Sequence, residues 1–150
     1  MPKPVIYVLL GPNHIMLGVR EPHLYGTRTL ADVEAFCTEQ AARLGADIVF
    51  RQSNHEGDLL DWIQEADGAA IGVVLNASAL ARTSLVLQST VKAVSVPVIE
   101  VHVTNIYRRD DRPPSELSKV ASGLITGFGE DSYRLAMLAV CNMAGVKSLN

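Results

Sequence analysis

Glu100 and His102 stand two residues apart in Val98-Ile99-Glu100-Val101-His102. On an extended strand that spacing puts both side chains on one face, so the carboxylate can hold or charge the imidazole and make His102 a general acid. A histidine serving only the structure of a strand end fits the same pattern. Arg20 and Tyr25 share the loop from Gly11 to Gly26. A phenol is a poor base at neutral pH, but an adjacent guanidinium favours the phenolate, and the pair then makes a usable general base. In the plainer alternative Tyr25 packs on the surface and Arg20 pairs with Glu21. Just beyond His102 the backbone amides of Val103, Thr104 and Asn105 emerge at a strand end, where a small anion can be held. Arg108, Arg109 and Arg112 follow, with Asp110 and Asp111 between them. Such a run is either a solvated loop or a recognition element for an anionic substrate. Asn13 and Asn76 each follow or end an apolar strand; they reach the same crevice or merely shape turns.

Other polar groups carry less. In Phe50-Arg-Gln-Ser-Asn-His-Glu-Gly57, Glu56 assists the start of the next helix and its neighbours fix adjacent loops. His14, His23, His55 and His102 lack metal-binding spacing, so no metal site is expected. Gly127-Phe128-Gly129 is not the glycine fingerprint of a dinucleotide site. Phe36, Cys37 and Trp62 read as core residues.

The elements that must position these groups alternate regularly. Val5–Leu10 is a continuous apolar run stopped by Gly11-Pro12, the pattern of a strand buried on both faces. Leu30, Val33, Phe36 and Cys37 recur at helical spacing behind a Thr29 N-cap until Gly45. A strand over 46–52, a helix around 58–66, a strand over 69–75, a helix over 82–94, strands over 96–101 and 123–128, and a helix over 131–144 complete the pattern. Strands separated by single helices give right-handed crossovers, hence an α/β, flavodoxin-like three-layer sandwich with a five-stranded parallel sheet. Ligands bind such sheets outside the carboxyl ends of the strands, where these polar clusters fall. The segment 11–26 is long for a strand–helix connection, which suits a lid or binding loop.

The chain's 150 residues fit one domain, and 48% hydrophobic against 19% charged residues gives ample apolar surface to bury. A net charge of −3 supplies no general attraction for nucleic acid. Two cysteines are too few for a disulfide framework, which fits a reduced, cytoplasmic setting. The apolar runs are far short of a membrane span, and the run after the N-terminus does not make a signal peptide.

The sequence resembles the type II 3-dehydroquinate dehydratases. The matching stretches are Gly11-Pro12-Asn13, Leu17-Gly18 with Arg20-Glu21-Pro22, Tyr25-Gly26, Arg51 to Gly57, Glu100-Val101-His102 with Asn105, and Gly123 to Gly129, in family order over nearly the whole chain. The resemblance implies a single domain over 1–150 with a lid at about 18–27, and a dodecamer built from trimers. It also implies cofactor-free dehydration of 3-dehydroquinate, a small anionic substrate. By match to the family motif Tyr25 is the base, Arg20 promotes its phenolate, and Asn13 positions a water at an enolate oxygen. His102, supported by Glu100, protonates the departing hydroxyl. Asn76 with the amides of Val103 and Thr104 holds the carboxylate, Arg109 adds positive charge near the tyrosine, and Arg112 reaches the substrate from the following loop.

The departures cluster on the substrate-reading side. Where the family has a substrate-facing histidine this chain has Arg82, and where it has a helix aspartate approaching the neighbouring subunit's site it has Ser89. Both count as substrate-binding candidates. They leave three outcomes open: the family activity, a related dehydratase acting on a different hydroxy-keto carboxylate, or a non-catalytic paralogue retaining ligand binding or assembly.

Overall fold

Val5–Leu10 (β1) occupies an interior place in a five-stranded sheet of order β2-β1-β3-β4-β5. The other strands are Asp47–Gln52 (β2), Gly72–Asn76 (β3), Val98–His102 (β4) and Gly123–Thr126 (β5), and every pairing is parallel. The computed structural model describes residues 2–19, 23, 27–108 and 111–146. Among these the helices are Leu30–Arg43 (α1), Glu56–Ala66 (α2), Leu80–Thr83 (α3), Leu85–Ala93 (α4) and Asp131–Ala144 (α5).

The apolar run of β1 is continuous because both faces are covered. Ile6, Val8 and Leu10 pack with Val33 and Cys37 of α1 and with Met137 and Val140 of α5. Tyr7 and Leu9 turn to the other side, where Leu59 and Ile63 of α2 and Leu87 and Val91 of α4 close a second core. The predicted three-layer α/β sandwich is therefore the observed one. Thr29 starts α1 as expected: its hydroxyl accepts from Asp32 N at 3.2 Å while the Asp32 carboxylate accepts from Thr29 N at 3.0 Å.

Several boundaries differ from the expected ones, each for a local reason. The third strand begins at Gly72 rather than 69, because the amides of Ala69 and Ala70 both bond to Ala66 O and finish α2. The fifth ends at Thr126, since Gly127 turns left-handed at φ 101°. The helix expected over 82–94 is two helices. Ser84 stands between them in extended conformation (φ −95°, ψ 102°); its Oγ accepts from Leu87 N at 2.9 Å and donates to the Glu56 carboxylate. Hydrophobic periodicity runs through Ser84, but the cap and the carboxylate break the backbone there.

Sheet order reverses between β1 and β3, and their carboxyl ends are locked together. Gly11 N donates to Asn76 O at 2.8 Å. Gly11 O accepts from Gln52 Nε2 at 3.1 Å, and Asn54 Oδ1 accepts from Asn13 N at 3.0 Å and from Gln52 Nε2 at 3.1 Å. The polar run after β2 thus braces the first loop. A Cβ at Gly11 would lie 2.7 Å from Ala77 O, so only glycine allows this approach. Gly18, at φ 91°, likewise sits where a Cβ would be 3.2 Å from Thr27 O, so these two positions lie close together. Gly11→Ala is expected to cost about 1–3 kcal/mol of unfolding free energy by urea titration, as overpacking against rigid backbone does; an unchanged midpoint would refute the close approach.

Candidate active site

Glu100 is fully buried, on the face of β4 that also carries His102. Its carboxylate accepts three hydrogen bonds: His102 Nε2 at 2.5 Å and Ser115 Oγ at 2.5 Å on Oε2, and Ser118 Oγ at 2.6 Å on Oε1. Burial alone would push the Glu100 carboxyl up, but the bonds from His102, Ser115 and Ser118 outweigh it and hold the group below the usual carboxylate range. Because a carboxylate only accepts, Nε2 of His102 carries the proton between them, and Nδ1 is the nitrogen left for chemistry.

His102 is 7% exposed and opens onto a cavity of about 430 Å³ at the carboxyl ends of β1, β3 and β4, the place the sheet's reversal predicts. The expected residues Asn13, Asn76, Val103, Thr104, Arg82 and Arg112 line it. Asn13 enters through a left-handed turn (φ 73°). Asn76 is buried and donates from Nδ2 to the Tyr133 hydroxyl at 2.9 Å. The turn after β4 is fixed from β5: Gly127 N, Gly129 N and Thr126 Oγ1 donate to the carbonyls of His102, Val103 and Thr104.

Ser89 does not line this cavity. It lies on the exposed side of α4, because Leu87, Thr90 and Val91 take the inward positions. Arg20, Tyr25 and Arg109 lie outside the described residues. Several cavity residues that bear functional groups were not proposed as site residues from the sequence. Tyr133, within the helix expected over 131–144, is buried, and burial raises its pKa, which removes it as a base. His14 bonds through Nδ1 to Gly11 O at 3.0 Å. Arg28 and Glu130, distant in sequence, form a two-pronged ion pair at the cavity, Nε to Oε2 at 2.9 Å and NH2 to Oε1 at 2.8 Å. Among the described residues Glu130 is the only carboxylate of the lining, and Arg28 engages it while Arg82 and Arg112 add positive charge. Cys37 is buried on α1, and burial pushes its thiol up to about 12, so it is no nucleophile.

No group of three or more metal-ligating side chains occurs among the described residues. No helix among them is long and apolar enough to cross a membrane.

A parallel sheet that brings a buried carboxylate–imidazole pair and several arginines to one crevice defines an acid–base enzyme for a small molecule. A family model, Dehydroquinase class II, matches residues 4–141. A protein called 3-dehydroquinate dehydratase from Rhodopseudomonas palustris is 49% identical over 150 residues, covering 99% of each chain. Another of that name from Azorhizobium caulinodans is 53% identical over 136 residues, covering 90% of this chain and 92% of its own. The crystal structure of type II dehydroquinase from Propionibacterium acnes superposes with a TM-score of 0.89 at 35% identity, covering 95% of this chain and 98% of that one. The chain belongs to the class II dehydroquinase family.

Since the folded pKa of Glu100 lies below its unfolded value, its stabilisation is complete above the unfolded pKa of about 4.3 and is lost as pH falls through the folded one. The difference in unfolding free energy between wild type and Glu100→Gln should therefore be constant near neutrality and shrink below about pH 4.3. A difference equal at pH 3 and pH 7 would contradict the ionised, bonded state of this group.

Proposed function

We propose that this chain dehydrates 3-dehydroquinate to 3-dehydroshikimate by anti elimination through an enolate, without metal or cofactor. The observation that carries the acid half is the Glu100–His102 pair at the cavity wall. In this reading the Tyr25 phenolate, promoted by Arg20, removes a C2 proton and leaves an enolate. Asn13 positions a water at the enolate oxygen. His102, protonated at Nδ1, gives that proton to the C1 hydroxyl as the carbon–oxygen bond breaks, and water departs. Glu100 compensates the positive charge of the ring before transfer. Asn76 and the amides of Val103 and Thr104 hold the substrate carboxylate, Arg109 supplies positive charge near the tyrosine, and Arg112 reaches the substrate from the following loop.

The chain is read as a single domain working in the cytoplasm, a setting supported by its two buried free thiols, Cys37 and Cys141. It is further read as a homo-oligomer, a dodecamer built from trimers. Leu85 and Val86 on α4 are 75% and 52% exposed, apolar surface that such an assembly would cover. Light scattering on the eluted protein should give the mass of twelve chains; a monomer mass would reject the assembly.

A second reading, altered substrate preference, is favoured by Arg82, a permanent cation at the cavity where the family pattern has histidine. Rescue of dehydroquinate turnover by Arg82→His with Ser89→Asp would favour it over the first.

Absorbance of the enone product tests the main proposal. Wild type should turn over dehydroquinate, and Tyr25→Phe and His102→Ala should each lower kcat by roughly 10²–10⁴-fold. Turnover by wild type no faster than by Tyr25→Phe would reject it.

A further inference from the structure

The return of the chain from the arginine loop to β5 runs through Ser115-Glu116-Leu117-Ser118, and both serine hydroxyls end on Glu100. Leu117 between them is fully buried, which pins this turn of 3-10 helix (Leu117–Lys119) into the core. A bland account would have Ser115 serve the backbone of α3, since its Oγ also lies 3.4 Å from Ala81 O. That carbonyl already accepts Glu116 N at 3.0 Å, whereas the Glu100 oxygen is 2.5 Å from the hydroxyl, so the single proton belongs to the carboxylate. Ser118 is bound by the same logic. Its one proton goes to Glu100 Oε1, so the contact with the Tyr107 hydroxyl at 3.2 Å has tyrosine as donor and serine as acceptor. The direction of every proton in the chain Tyr107, Ser118, Glu100, His102 is thereby fixed.

We propose that Ser115 and Ser118 are positioning residues for the elimination: their hydroxyls hold the Glu100 carboxylate ionised and aimed at Nε2 of His102, which in turn leaves Nδ1 presented to the substrate. The proposal rests on His102 acting as the acid. With three donors on two oxygens the carboxylate cannot rotate without breaking a short bond to a charged group, so His102 inherits a fixed ring orientation. Among the described residues the ionisable groups around Glu100 are few. His102 acts on it directly, Tyr107 reaches it through Ser118, and Arg82 of α3 and Arg112 are the cations of the adjoining cavity wall. Removing a serine donor destabilises every form in which Glu100 is ionised, so protonation of Glu100 can only move to higher pH.

The test measures kcat and KM against pH, and acid unfolding, for Ser115→Ala, Ser118→Ala, Ser118→Thr and Tyr107→Phe. Each alanine variant should lower kcat by about ten-fold or more with KM within about two-fold, and should move the acid limb of kcat and the acid-unfolding midpoint up by about one pH unit, the effect of one hydrogen bond to a charged group. Ser118→Thr keeps the hydroxyl and should restore both; Tyr107→Phe leaves Ser118 donating and should stay within about two-fold of wild type. Alanine variants that lose stability evenly at all pH, with an unmoved acid limb, would show a structural role and overturn the proposal. A Tyr107→Phe variant as impaired as Ser118→Ala would overturn it as well. The acid-unfolding shift needs no turnover, so absent activity in wild type would reject the dehydration reading while the shift still decides the serines.

Discussion

A carboxylate with no solvent exposure is the constraint around which this molecule is arranged. An isolated charge in a protein interior costs far more than any single packing gain, so Glu100 is tolerable only because three donors surround it. Those donors come from two places, the next-but-one residue of its own strand and a turn reached only after the arginine loop has gone out and returned. Satisfying one buried group therefore closes the loop, seats Leu117 in the core and orients the imidazole. Stability and chemistry draw on the same bonds here, and a change that relaxes one disturbs the other.

The rest of the cavity follows from sheet order. Because β1 and β3 diverge in the direction of their connections, their carboxyl ends leave a crevice between them. The polar stretch after β2 spends its side chains bracing the crevice. Gln52 and Asn54 hold Gly11 and Asn13, Ser53 Oγ donates to Asp58 at 2.6 Å, and Glu56 takes the hydroxyl of Ser84. None of these need touch a substrate. They set the separation between the loop after β1 and the strand that delivers His102.

Much of this was legible in the sequence, for reasons that differ by residue. The pair Glu100 and His102 was visible because strand periodicity is local: two residues apart means one face. Thr29 was visible because a cap and its helix are neighbours. The layers were visible because a fully apolar strand has to be covered twice. What stayed hidden depended on contacts between distant segments. Nothing in Ser115-Glu116-Leu117-Ser118 announces a carboxylate fifteen residues upstream, and serines in a loop are unremarkable. Ser84 looked like an ordinary residue of one helix because its partner, Glu56, lies on another element. Arg28 and Glu130 are individually plain surface charges until the fold brings them together across 102 positions. Tyr133 shows its apolar face to the periodicity and its hydroxyl only to Asn76.

Gly18 and Thr27 lie against each other, so the described chain leaves the body of the protein and rejoins it at neighbouring points. Arg28, one residue beyond, is tied to Glu130, and Thr29 begins α1, so the anchorage of both ends is independent of what lies between them. Ends held in this way fix only where a connecting stretch must start and finish. Its length and composition can change in evolution, or be exchanged between relatives at the bench, without asking the sheet or either core to refold, because loop insertion between fixed, adjacent ends costs little in chain entropy. His102, by contrast, is embedded so deeply that its neighbours have to change with it.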